Sequence, residues 1–271
     1  MTTLQAPHPA GYTPAATVDE VAEFTALPHQ VVDTAMTRLG QGTATLLVMS
    51  GKMGSGKDTL GPLVLDALGC SRYTHRYYAD RLKDEVDQML THVRYLDNVA
   101  EVAHYLQLAW NMNPEHAQTL AGPLYTSAQD VTLTARARTP DTRFVLQYYG
   151  TNVRRAADDN HWVKPGLATM LTDITHGTPH QCMSTYVTDA RFANEVDWPA
   201  KAGATVVRLQ ISRAEQLKRL HRRDGAAPSE EALNHRSETA LDDYDFGVTV
   251  QVDGKPIADV VDEIVQRIHD R

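Results

Sequence analysis

The sequence predicts an α/β protein, a parallel sheet flanked by helices, carrying a long helical insertion and a short basic segment late in the chain. Three observations lead there. An apolar run, Leu46 to Ser50, enters Gly-Lys-Met-Gly-Ser-Gly-Lys, with Gly51, Gly56 and Lys57 at the G-x-x-x-x-G-K spacing of a phosphate-binding loop. Further short β-rich runs at Tyr73–Ala79, Met183–Thr188, Thr205–Ile211 and Val248–Val252 are interleaved with helical stretches, the alternation of a parallel sheet. Between the second and third of these runs, about a hundred residues pass without a convincing strand.

Taken in order, residues 1–16 are rich in Pro, Thr and Ala and read as a loose arm. Thr17-Val-Asp-Glu20 is a capping-box pattern that starts a helix, and a second helical stretch, Val31 to Leu39, stops at Gly40-Gln-Gly42. Residues 1–43 are therefore expected to form an arm and a helical extension outside the core, and residues 44–271 the main domain. The first core helix runs from about Gly56 to Leu68, with Pro62 inside it removing a hydrogen bond to the carbonyl of Asp58. Leu82, Val86, Met89, Leu90 and Val93 mark one face of the next helix. Val99–Met112, Pro114–Leu120, Val145–Tyr149 and Trp162–Ile174 read as helical, so the insertion is placed at about 84–180. Ala214–Arg223 is a basic helix, Asp224–Glu230 a loop, and the final helix carries Ile257, Val260, Val261, Ile264, Val265 and Ile268 on one stripe.

Composition narrows the function classes. At 271 residues the chain can bury a sizeable core. A net charge of −8 argues against a protein whose main task is gripping a nucleic-acid backbone, which takes clustered Lys and Arg. The two cysteines, Cys70 and Cys182, lack metal-ligand spacing and read as free thiols of a reducing compartment. No apolar run approaches the ~18 residues of a membrane span and the N-terminus lacks a secretory layout, so a cytoplasmic protein is expected.

Four segments carry chemistry. In the glycine loop (Gly51, Met53, Gly54, Ser55, Gly56), small residues let backbone N–H groups turn towards a phosphate, and Lys57 reaches the β- and γ-phosphates of a nucleotide. Asp58 stands where the motif has Ser or Thr. Its carboxylate can hold magnesium or cap the helix, and Thr59 can reach the α-phosphate. At the end of a core strand, Asp189 fits the position that orients magnesium, and Arg191 suits a phosphate. Between Gln147 and Trp162, Gln147 can address a base edge, Tyr148 or Tyr149 can line a pocket, and Arg154 or Arg155 can clamp a phosphate. Arg208, Arg213, Lys218, Arg219, Arg222 and Arg223, followed by His235-Arg-Ser-Glu238, look like a closing lid at about 213–238; Arg219 and Arg223 are its candidates for touching the transferring group.

Together, Ser50 to Thr59, Tyr78-Ala-Asp-Arg-Leu-Lys83, Gln147-Tyr-Tyr-Gly-Thr-Asn-Val-Arg154 with Trp162, Thr188 to Glu195, and His235 to Leu241 resemble, in family order, the phage deoxynucleoside monophosphate kinases among the P-loop kinases. That family also tolerates Gly-Lys-Asp-Thr, so Asp58 becomes a subgroup mark. The resemblance implies a P-loop kinase fold whose helical insertion binds the acceptor. It implies transfer of the ATP γ-phosphate to a deoxynucleoside monophosphate, with Mg2+, in a cytoplasmic enzyme for which a homodimer is the expected form. By position, Gly51 to Thr59 hold ATP, Lys57, Arg191, Arg219 and Arg223 serve catalysis, and Asp58 and Asp189 the metal. Asp80, Arg81, Gln147, Tyr148, Gly150, Thr151, Arg154, Asp158, Trp162, Arg191 and Glu195 are carried over to the acceptor side. Rival readings are another P-loop small-molecule kinase (of dephospho-coenzyme A or phosphomevalonate), a kinase of a hydroxymethylated base in DNA, a nucleotide-dependent motor and a non-kinase nucleotide-binding module. The lack of Glu after Asp189 weighs against the motor, and the acidic net charge against the DNA substrate.

Overall fold

A computed structural model describes residues 15–137, 139–176, 183–225 and 230–270. Two helices come first, α1 (Val18–Thr25) and α2 (His29–Gly40), then β1 (Leu46–Gly51), α3 (Lys57–Ala67) and β2 (Tyr73–Arg76). The helical stretch follows as α4 (Ala79–Val93), α5 (Val99–Trp110), α6 (Pro114–Ala128), α7 (Pro140–Tyr148) and a π-helix at Tyr149–Arg155. The chain returns through α8 (Val163–Thr175), β3 (Ser184–Ala190), α9 (Ala193–Lys201), β4 (Thr205–Gln210) and α10 (Arg213–Asp224). It ends with α11 (Glu230–Asn234), α12 (Arg236–Thr239), β5 (Val248–Gln251) and α13 (Ile257–His269). The expected loose arm and Cys182 fall largely outside the described residues, while Cys70 is a free thiol.

The chain divides into two compact units. One comprises the residues up to Tyr77 and from Val163 onward, the other Tyr78–Trp162. The first is the α/β unit, with an all-parallel sheet of order β2-β3-β1-β4-β5. Period-two alternation sends Leu47 and Met49 of β1, Val207 and Leu209 of β4, and Val248 and Val250 of β5 into one core with Leu60 and Val64 of α3 and Val260 and Ile264 of α13. Helices α8 and α9 pack on the sheet, and α1 and α2 pack on α8. The predicted capping box is present: the Thr17 hydroxyl accepts from the Glu20 N–H, and the Glu20 carboxylate accepts from the Thr17 N–H.

One irregularity positions the site. Val48 pairs with Val187, but Ser50 pairs with Ala190, so β3 carries an extra residue there. The bulge falls on Thr188 and Asp189, at the end of the strand predicted to carry a metal ligand.

The second unit is helical throughout. Val86, Met89 and Leu90 of α4 pack with Val102 and Leu106 of α5, Leu120 and Leu124 of α6, Val145, and the rings of Tyr149 and Trp162. Asn98, Asn113 and Thr139 each cap a helix with the side chain, which sharpens boundaries the periodicity left loose.

Two expectations shift. The strand read as Tyr73–Ala79 ends at Arg76, because Ala79 already begins α4. The helical unit spans 78–162 rather than 84–180, since the apolar face of α8 (Val163, Leu167, Met170, Leu171, Ile174) belongs to the α/β unit. The core helix α3 continues past Pro62 to Ala67.

Candidate functional site

The glycine loop joins the central strand β1 to the N-terminus of α3. Gly51 has φ 152°, and a side chain on it would meet the Ser55 hydroxyl at 2.7 Å and the Leu209 carbonyl at 2.8 Å, so the loop closes only without one. Gly56, at φ 95°, sits in the left-handed region directly before the helix. Lys57 is 9% exposed and folds into this loop. Its ammonium donates to the carbonyls of Gly51 at 2.5 Å and Lys52 at 3.1 Å, and reaches the Ser55 hydroxyl at 3.5 Å. Burial, reinforced by the Arg191 charge, pushes the Lys57 amine down to about 7; the Asp58 carboxylate works against that fall.

Asp58 lies in the first turn of α3, where a carboxylate suits the helix dipole. It accepts from the Thr188 hydroxyl at 2.5 Å. Thr188, on the β3 bulge, lies 2.9 Å from His75 Nε2, and His75 Nδ1 lies 3.1 Å from the Tyr77 hydroxyl. Asp58 is thus tied to β3 and still exposed, and its second oxygen makes no hydrogen bond among the described residues. Thr59 is exposed on the same turn.

After β3 the chain turns through Arg191 into α9. Glu195, expected on the acceptor side, is 3% exposed and has a structural task. Its carboxylate accepts from the backbone N–H of Arg191 at 2.6 Å and of Phe192 at 3.1 Å, which fixes the backbone from which the Arg191 side chain extends. Arg191 itself donates to the Glu238 carboxylate. Sequence reasoning singled out the His235–Glu238 stretch without giving Glu238 a role.

Helix α10, the start of the predicted lid, packs on the glycine loop. Gln216 donates to the Met53 carbonyl at 3.0 Å, and Leu220 lies close over Gly54. Arg219 is bracketed by Glu215 at 2.9 Å and the Val252 carbonyl at 3.0 Å, whereas Arg223 is exposed. Residues 226–229 of the expected lid lie outside the described residues. Beneath the loop, Arg208 is 8% exposed and joins the Ser50 hydroxyl (2.9 Å) to Asp242 (3.3 Å), which also pairs with Lys52 at 2.8 Å.

In the helical unit, the residues carried over to the acceptor separate into two kinds. Arg81 and Arg154 converge on Glu85, each with its Nε 3.4 Å from that carboxylate. Tyr149 donates to Glu85 at 2.6 Å, Arg154 donates to the Tyr149 hydroxyl at 2.6 Å, and the Arg154 guanidinium lies over the rings of Tyr149 and Trp110. Burial pushes the Glu85 carboxyl up, but nearby His161, the Tyr149 hydrogen bond and the Arg154 charge outweigh it and bring it down to about 2. Burial and Glu85 together push the Tyr149 phenol up.

The other kind is engaged locally. Trp162, expected in the acceptor pocket, is 3% exposed and donates to the Gly150 carbonyl at 3.1 Å; it is a core pillar. Gly150 is buried too, packed so close to Leu82 that a side chain would clash at 2.9 Å. Asp158 organises the turn before it, accepting from the Asn160 N–H at 3.0 Å. The Tyr148 hydroxyl meets His116 Nδ1 at 2.9 Å, Asp80 lies 3.8 Å from both Lys83 and Arg136, Thr151 is half-buried and Gln147 is exposed. Glu85, His161 and Trp110 were missed. The signal available was the pair Arg81 and Glu85 at helical i, i+4 spacing. The π-helix at Tyr149–Arg155 lies within the segment singled out for binding; such bulges recur at functional sites.

No family model matches the sequence, and no curated protein matches it. Among solved structures, a gluconokinase from Sinorhizobium meliloti 1021 aligns with 84% of this chain and 92% of its own, at 16% identity and a TM-score of 0.38. So loose a superposition carries no argument about activity. Among the described residues, no helix is long and apolar enough to cross a membrane.

Proposed function

We propose that the chain is an ATP-dependent phosphotransferase that moves the γ-phosphate of ATP to a deoxynucleoside 5′-monophosphate, releasing ADP and the diphosphate. The observation that carries the donor half is the glycine loop at the end of the central strand with Lys57 folded inside it. On binding a triphosphate, the Lys57 ammonium would exchange its carbonyl partners for phosphate oxygens, and the loop amides and α3 N-terminus would receive the rest of the charge. The acceptor half is supported by the five segments in family order and by Arg81 and Arg154 gathered on Glu85.

No general base is required. With a second pKa of ~6, the acceptor phosphate already presents an anionic oxygen at neutral pH. The work of the protein is alignment of two polyanions and stabilisation of the transferred group, for which Lys57 and Arg191 supply charge. Mg2+ fits this donor set. Among the described residues no cluster of three or more metal-ligating side chains exists, and Mg2+ with a nucleotide needs only one or two carboxylates, its other ligands being water and phosphate. Asp58, through its second oxygen, and Asp189, on the adjacent bulge, would hold it; bound there it would neutralise charge on the β- and γ-phosphates.

Release of ADP, coupled to a spectroscopic readout, across the four deoxynucleotides, their ribo-counterparts and non-nucleotide acceptors tests this. Turnover confined to the deoxynucleotides supports the proposal. Turnover on a non-nucleotide acceptor alone would make the chain another P-loop small-molecule kinase, and acceptor-independent hydrolysis a motor.

A further inference from the structure

We infer that Glu238 is a positioning residue that sets the Arg191 guanidinium against the phosphate loop, so that Arg191 meets the γ-phosphate of the donor. The inference rests on the donor half of the function proposed above and extends it to a residue that no motif assigns. Glu238 lies on the short helix α12, 47 positions after Arg191 in the chain, with a side chain only 3% exposed. A carboxylate so buried is stable only when its oxygens are matched by donors. Here one oxygen accepts from Nη1 of Arg191 and the other from the backbone N–H of Met53, inside the glycine loop, at 2.8 Å. One side chain therefore ties the arginine and the loop to a common point. Nη1 also lies 3.4 Å from the Ser237 carbonyl.

The remainder of the guanidinium is left for a ligand. Among the described residues, Nε and Nη2 of Arg191 make no hydrogen bond, and the side chain is 30% exposed. A guanidinium held by one corner of its fork presents the other edge in a fixed direction, the arrangement suited to bidentate recognition of phosphate. The guanidinium lies beside the loop, because the Glu238 carboxylate that holds it also accepts from the Met53 N–H, and its charge is near enough to Lys57 to oppose that ammonium's. The backbone of Arg191 is fixed independently, by the Glu195 carboxylate. Arg191 is thus held at both ends by buried carboxylates, and Glu238 is the one that decides where the charge points.

The test compares ATP with ADP, which differ by the γ-phosphate alone, by calorimetric titration of the full chain in the presence of Mg2+. Glu238→Gln keeps the acceptor for the Met53 N–H and loses the charge on Arg191. It is expected to weaken ATP binding roughly tenfold while leaving ADP within about twofold. Arg191→Ala is expected to show the same split, and the double variant no further loss. Glu238→Asp, which keeps the charge but withdraws it by one methylene, should fall between wild type and Glu238→Gln, and serves in its place if Glu238→Gln does not fold. Equal losses for ATP and ADP would mean that Glu238 only shapes the loop, and unchanged ATP binding or additive losses would also overturn the inference. If the ATP–ADP split appears while no deoxynucleotide is phosphorylated, the acceptor assignment fails and the positioning role stands.

Discussion

Around the glycine loop, the cationic side chains of Lys57, Arg191 and Arg208 crowd together, and burial lowers the pKa of each. In the helical unit the arrangement is inverted, for a single buried carboxylate, Glu85, draws Arg81, Arg154, Tyr149 and His161 around it. In the first, Arg191 and Arg208 each have a carboxylate partner, while the Lys57 ammonium is held by carbonyl and hydroxyl oxygens and burial disfavours its charged form. The second is already neutralised from within. It follows that removing Lys57 should chiefly change binding and rate, while removing Glu85 itself should chiefly change stability.

The largest expected effect breaks the comparison on the loop side. Lys57→Ala should lower phosphoryl transfer by about a thousandfold, on the order of 4 kcal/mol of transition-state stabilisation, in a steady-state assay. Its melting temperature should not fall, because a confined cation has been removed. A melting loss as large as that of a Glu85 variant would erase the distinction.

Next in size, Glu85→Ala should cost roughly 3 kcal/mol in denaturant unfolding, since it leaves Arg154 and Tyr149 without their buried partner. The sign with pH follows from the depressed carboxyl. Its stabilisation is complete above the ordinary value of 4.5 and is lost as the pH falls towards 2, so wild type and Glu85→Gln should converge in acid. A difference that persists unchanged below pH 2 would show that packing, not charge, is responsible.

A smaller effect sharpens the loop side. With its amine near 7 in the free protein, Lys57 is mostly neutral at pH 8, and a bound triphosphate favours its charged form. ATP binding should therefore take up close to one proton at pH 8, read from calorimetric enthalpies in buffers of different ionisation heat, and weaken by up to tenfold per pH unit above 7. Lys57→Met should abolish both. The smallest change involves the residues of neither region: Thr17→Ala removes the capping box of α1 and should cost ~1 kcal/mol in unfolding with no change in turnover.

The glycine loop is legible in the amino-acid sequence because it is local. Gly51 to Thr59 are consecutive, and the geometry they need, left-handed backbone at a strand–helix junction, is written in glycine and lysine at fixed offsets. The segment proposed for the acceptor is less legible. Gln147 and Trp162 belong to one polar, aromatic stretch, yet one is exposed and the other is a core pillar, a difference set by neighbours distant in sequence. Glu85 and Tyr149 lie 64 positions apart, and nothing in either stretch announces the pair.

Hydrophobic periodicity and turn chemistry in the chain were enough for the α/β class, the interleaving of strands and helices, the helical character of the insertion and the place of the glycine loop, because each depends on contacts within a few residues. Strand order, the β3 bulge under Asp189, the 78–162 boundary and the pairing of Arg191 with Glu238 arise from long-range contacts. A buried charge takes its partner from whatever the packed chain brings within about 3 Å, and that proximity exists only once the sheet and its loops are assembled.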